Sequence, residues 1–165
     1  MLLPNQVKSM ANKLENENYK FRRFLKNRAD EETLDKQFLK LHNELFENYD
    51  CDSCKNCCKE YSPALKEHEL KSVADFLKMS KDDFVNRYTE NDCGEYIVKG
   101  IPCRFLNSDN SCGIEVCKPE WCKEYPHTNK PERLYSLLSI VESASVCPVV
   151  FEMLEQLKGI YNFNK

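Results

Sequence analysis

Cys51-Asp52-Ser53-Cys54-Lys55-Asn56-Cys57-Cys58 places four thiols within eight residues. An isolated cysteine in a reducing compartment behaves as a small buried hydrophobe, but thiols recurring at two-residue gaps let one short segment aim several sulfurs at one point. The chemistry that follows is chelation of a cation that accepts sulfur. Zinc takes four-thiolate sites built from such knuckles, and the same run of gaps occurs in ferredoxin-type iron-sulfur sites, where a distant cysteine is followed by proline. Cys147-Pro148 offers that distant partner. On an extended segment adjacent side chains point to opposite sides, so Cys57 and Cys58 are expected to serve two different ions.

The remaining thiols need structural elements to deliver them. Residues 96–98 and 101–106 are rich in β-branched and aromatic side chains, and Asn107-Ser108-Asp109-Asn110 is a run of turn formers, which together predict a small hairpin. With those four residues as its loop, Leu106 faces Ser111, Phe105 faces Cys112 and Arg104 faces Gly113. Cys103 and Cys112 are then diagonal neighbours about 7 to 8 Å apart on one side, within reach of a common ion. Residues 117–126 hold Cys122, Trp121, Pro119 and Pro126 and read as an irregular loop tied by metal.

Helices supply the scaffold. Val7, Met10, Ala11, Leu14, Phe21, Phe24 and Leu25 predict a first helix of about 20 residues on one apolar face. Asp30 caps a second helix through Leu34, Phe38, Leu41 and Leu45 that ends near Tyr49, and the short link makes the two an antiparallel pair. Leu65, Leu70, Val73, Ala74 and Leu77 mark a third helix to near Met79, and Ser80 opens a short fourth carrying Phe84. Leu134, Leu137, Leu138 and Val141 mark another, and Pro148 suits the first turn of a final helix bearing Val149, Val150, Met153, Leu154 and Leu157. The expected fold is α+β and predominantly α, a single domain over residues 1–165. It comprises an N-terminal helical hairpin (1–49), a cysteine-cluster region (50–150) and a C-terminal helix (148–160), with the helices arranged around the small β-hairpin and a cysteine-ligated metal centre.

Charge and composition remove several function classes. The chain carries 24 basic and 27 acidic residues, interspersed, for a net charge of −3. No basic stripe marks a nucleic-acid surface. No apolar run reaches the ~20 residues of a membrane span, and residues 1–9 lack the basic and apolar regions of a secretory signal, so a cytoplasmic location without membrane or nucleic-acid partners is expected. There thiols stay reduced, and ten cysteines read as metal ligands rather than a disulfide framework. Three scattered histidines support no Ser-His-Asp arrangement. His42, beside Phe38 and Phe46, reads as a packing residue, and His68 as solvated. His127 follows Tyr125-Pro126 near the cluster and reads as a ligand replacing one cysteine, as a residue bonded to a ligand, or equally as a surface turn histidine.

Several separated motifs occur in a recognisable order: Cys51-x2-Cys54-x2-Cys57-Cys58, Pro102-Cys103-Arg104-Phe105-Leu106, Cys112-x-Ile114, Lys118-Pro119-x2-Cys122-x2-Tyr125-Pro126 and Cys147-Pro148. From Cys51 to Pro148 the chain resembles the YkgJ-type cysteine-cluster family, whose domain is described as chelating zinc or iron. The resemblance implies eight ligands: Cys51, Cys54, Cys57, Cys58, Cys103, Cys112, Cys122 and Cys147. Lys118 stands where the family usually has arginine and Glu115 where an aromatic is common; lysine keeps the charge but loses the planar fork. Cys93 and Cys117 are additional and read as spare thiols, Cys117 being the better-placed ligand candidate of the two. Eight thiolates around two Zn2+ ions leave surplus negative charge, which Lys55, Lys59, Arg104, Lys118 and Lys123 are placed to offset. Closed four-thiolate sites favour a structural ion, with zinc preferred and iron or an iron-sulfur cluster the alternative. The expected function is a cytosolic metal-binding protein. Two alternatives stay open: an iron-sulfur or iron-dependent enzyme, given that the similar flagellin lysine methylases carry the same cluster, and a metal-delivery or interaction module whose N-terminal helices face a protein partner.

Overall fold

The computed structural model describes residues 1–163. Its elements run α1 (Val7–Lys13), α2 (Glu15–Arg28), α3 (Glu31–Phe46), α4 (Cys51–Cys54), α5 (Asn56–Glu60), β1 (Ala64–Leu65), α6 (Glu67–Phe76) and α7 (Lys81–Tyr88). There follow β2 (Thr89–Asp92), β3 (Glu95–Val98), a 3-10 turn over Glu115–Cys117, α8 (Glu120–Glu124), α9 (Arg133–Ser143) and α10 (Pro148–Ile160). The class is the expected one, mostly helical with one small antiparallel sheet. The chain gathers into two compact units: unit 1 takes residues 1–54 and the chain from Pro126 onward, and unit 2 takes Lys55–Tyr125.

Unit 1 is helical. The single long first helix expected from periodicity is broken at Leu14 (φ −100°, ψ 8°), which divides α1 from α2. Asp30 opens α3 as anticipated, its side chain accepting from the Thr33 amide at 2.9 Å. α2 and α3 both pack on α9, and α3 packs also on α10. Phe21, Leu25, Leu34, Phe38, Leu137, Met153, Leu154 and Leu157 are fully buried there. A second cap could not be read from sequence: Glu132 sits left-handed at φ 63°, and the Asp35 carboxylate of α3 accepts from the Glu132 and Arg133 amides at 2.8 Å each, satisfying the first turn of α9 from a distant segment. Pro148 occupies the first turn of α10. Lys158 on α10 is almost fully buried between Glu17 (2.8 Å) and Glu155 (2.5 Å), a pairing that lets the buried ammonium keep its charge.

Unit 2 is built on Leu65, Leu70, Val73, Ala74, Phe84, Val98, Phe105 and Ile114. Ser80 caps α7 through the Asp83 amide at 3.1 Å, as its sequence signature predicts. The sheet order is β1-β3-β2. Residues 96–98 are a strand as expected, but the hairpin partner is β2, with Thr89 opposite Val98 and Asp92 opposite Glu95. Its two-residue turn is Cys93-Gly94 at φ 50° and 92°, positive at both positions as the twist of a tight hairpin requires. Thr89-Glu90-Asn91-Asp92 shows little β-forming character, and only Thr89 is buried, so the strand left no apolar alternation to find. The hairpin expected over residues 101–113 is reduced to an isolated bridge. Leu106 pairs with Cys112, one residue out of the expected register, and the amide of Gly113 bonds the Phe105 carbonyl at 2.7 Å.

Candidate metal centre

The cysteine-rich run is helical rather than extended. Asp50 caps α4 by accepting from the Asp52 and Ser53 amides, both at 3.0 Å, and Cys51 and Cys54 stand three apart on one face of the turn. Lys55 then adopts a left-handed conformation at φ 48° and is buried, ending α4 and starting α5. On α5, Cys57 and Cys58 are about 100° apart around a helix axis rather than on opposite sides of a strand. The division between the units falls between Cys54 and Lys55, so the run is cut into two pairs.

In unit 1, Cys51 and Cys54 lie within the electrostatic reach of Cys147. Burial first, and then those two neighbours, push the Cys147 thiol up to about 12, while the amides of Val149 and Val150 at the start of α10 pull the other way. Tyr49 belongs to the same group. Burial, the adjacent Cys54 thiol, and then Cys147 and Cys51 hold its phenol well above the ordinary range. Nothing in residue spacing had singled out Tyr49; a tyrosine two residues before the first cysteine is the only trace it leaves.

In unit 2, Cys58, Cys103, Cys112 and Cys122 influence one another. They come from α5, the loop after β3, the Leu106 bridge and α8. The amide of Cys103 bonds the Cys58 carbonyl at 2.7 Å, pinning two of these segments together. Burial raises Cys103 and Cys112, which pack against the unit 2 core. Burial, reinforced by Cys103, Cys58 and Cys112, pushes Cys122 up to about 12. Cys58 goes the other way: a hydrogen bond from Cys57 pulls it down to about 6 against its burial, aided by Lys55 and Lys118 and opposed by Glu115.

The lysines divide. Lys118, paired with Glu115 at 3.0 Å, acts on Cys58, Cys112 and Cys122, Lys55 acts on Cys58, and Lys123 acts on Cys117. Arg104 instead lies over the Tyr88 ring at 5.3 Å. Cys93 is exposed at the hairpin tip. Cys117 ends the 3-10 turn against the unit 2 core, where burial and then Cys112 raise its thiol. His127 belongs to unit 1 at φ 60°, its carbonyl accepting from Arg133 Nη1 at 2.6 Å. His42 is a packing residue, its Nδ1 2.8 Å from Thr128 Oγ1 and its ring 4.7 Å from that of Phe46.

None of the ten cysteines is in a disulfide. Among the described residues, no three His, Cys, Asp or Glu side chains already converge closely enough to hold an ion. The thiols are therefore grouped by their fields rather than closed on a point. The donor chemistry still fits a cation: several buried thiols that raise one another's pKa cannot ionise together unless a positive charge offsets them, and an all-sulfur set suits zinc or iron.

Residues 50–148 match the family model CxxCxxCC, described as "Putative zinc- or iron-chelating domain". The chain belongs to the CxxCxxCC family. The matched stretch runs from just before Cys51 to Pro148 and supports a zinc- or iron-chelating function for this CxxCxxCC domain. No curated protein and no solved structure matches the chain. No helix among the described residues is long and apolar enough to cross a membrane.

Proposed function

We propose that this CxxCxxCC protein is a cytoplasmic metal-binding protein with two thiolate sites, one in each unit, and that zinc is the preferred ion. The observation that carries the reading is the grouping of Cys58, Cys103, Cys112 and Cys122, four thiols from four separate segments that lie in one another's field. In unit 2 these four would hold one ion, with Cys57 supporting Cys58 by its hydrogen bond and Lys55 and Lys118 offsetting the thiolate charge. In unit 1, Cys51, Cys54 and Cys147 would hold the second. A four-thiolate set leaves no position for substrate, so the role of the unit 2 ion is to hold together segments that have little regular structure. Chelation would draw the sulfurs inward and release their protons.

The test is metal analysis of protein purified anaerobically without added metal, for the wild type and for Cys112→Ser and Cys147→Ser. Two zinc ions per chain are expected in the wild type and one in each variant. A Cys112→Ser protein with unchanged metal content would defeat the four-thiol assignment. Charge-transfer absorbance typical of iron-sulfur clusters in the wild type would replace zinc with iron.

A further inference from the structure

The Tyr49 side chain is placed as if to serve a charged acceptor that is not yet in position. Its hydroxyl oxygen is buried from solvent with no partner in full hydrogen-bond geometry, and the Cys54 thiol is the neighbour to which it can hydrogen-bond. A buried hydroxyl without a well-formed hydrogen bond is destabilising, so such a group calls for an explanation. The atoms around it supply one: the Cys54 thiol lies beside it, with Cys147 and Cys51 a little further off. The Tyr49 ring is held by packing rather than by its hydroxyl, edge-on to Phe46 with centroids 6.3 Å apart and planes at 88°. The amide of Cys51 donates to the Tyr49 carbonyl at 3.1 Å. Ring and backbone thus fix the hydroxyl next to the first cysteine pair.

A neutral thiol is a weak acceptor, whereas a thiolate bound to a cation is a strong one, and hydrogen bonds to ionised acceptors are roughly twice as strong as neutral ones. We propose that Tyr49 is a positioning residue of the unit 1 site, donating its O–H to the Cys54 thiolate when Cys51, Cys54 and Cys147 hold a metal ion. The inference rests on the two-site reading above and adds to it a group outside the cysteines. The donor orients the Cys54 sulfur and draws charge from it, so the site holds its ion more tightly and the sulfur-to-metal electronic transition shifts. In unit 2 the corresponding compensation comes from Lys55 and Lys118; in unit 1 Tyr49 fills that place with a neutral donor.

The experiment compares wild type, Tyr49→Phe and Cys147→Ser, each loaded with Zn2+ or, as a spectroscopic probe, with Co2+. Phenylalanine keeps the ring packing and removes only the O–H. Tyr49→Phe is expected to retain two ions at saturation but to release one about 10- to 100-fold more readily to a competing chelator, the range typical of losing a hydrogen bond to a metal ligand. Its Co2+ form should show a shifted thiolate charge-transfer band, and the thermal midpoint of the metal-free protein should not fall. If Tyr49→Phe matches wild type in both chelator competition and the Co2+ band while Cys147→Ser loses one ion, the role of Tyr49 is overturned and the two-site reading stands. If Cys147→Ser loses no ion, both are overturned together.

Discussion

His42 shows how a residue of the right type for metal binding is committed elsewhere. Its Nδ1 is tied to Thr128 Oγ1 and its ring lies against Phe46, and burial holds the imidazole below its ordinary 6.5. As pH falls below 6.5 the unfolded chain takes up a proton that the native ring resists, so the native state loses stability from there down through the lowered folded value and loses none above 6.5. The gap in melting temperature between wild type and His42→Gln is therefore expected to narrow from pH 7 to pH 5. A gap that stays constant would show that the native ring titrates as it does in the unfolded chain, with no lowering by burial. His42 packs as its sequence neighbours Phe38 and Phe46 suggested. Tyr49 was invisible to the same reading, because a phenol carries no motif and gains meaning only from the sulfurs around it.

At the scale of elements, the decisive feature is the left-handed Lys55 between α4 and α5. A non-glycine residue in that region costs about 1 kcal/mol or more, and here it divides the cysteine run into the two pairs that enter different units. Proline, fixed near φ −65°, cannot adopt φ 48°, whereas glycine can at no steric cost. Lys55→Pro should lower the thermal midpoint well below that of Lys55→Gly and reduce the metal content of the purified protein. Equal midpoints for the two would show that the backbone conformation at this position is not required. The CxxCxxCC pattern announces a chelating segment, but whether it is one turn of helix, an extended knuckle or two short helices depends on the local backbone, which residue spacing does not specify. The shifted Leu106–Cys112 bridge has the same origin: a loop one residue longer moves every pairing by one place.

The two units call for different responses to metal removal. Unit 1 carries the long helices α2, α3, α9 and α10 with a closed apolar core, while unit 2 relies on short helices, a three-stranded sheet and several segments that meet at cysteines. Trp121, the only tryptophan, precedes Cys122 and stands in an aromatic group with Tyr61 (6.2 Å) and Tyr125 (5.5 Å). A strong chelator should therefore change tryptophan fluorescence and near-UV ellipticity sharply while most of the far-UV helical signal persists. Retention of the tryptophan signal and of the melting profile after complete metal removal would refute a structural role for the unit 2 ion.

Local signals along the chain were enough for the longer helices apart from the break at Leu14, the caps at Asp30 and Ser80, the strand over residues 96–98 and the family to which the cysteine spacing belongs. Each of these rests on local periodicity, on a side chain bonding a nearby amide, or on a fixed interval between thiols, all of which operate within a few residues. Tertiary structure alone decided that Cys51 and Cys54 group with Cys147 while Cys58 groups with Cys103, Cys112 and Cys122. It also decided that Asp35 caps α9 from 97 residues away and that the Tyr49 hydroxyl lies beside Cys54. Those relations depend on which apolar surfaces bury one another, and no interval along the chain encodes the outcome.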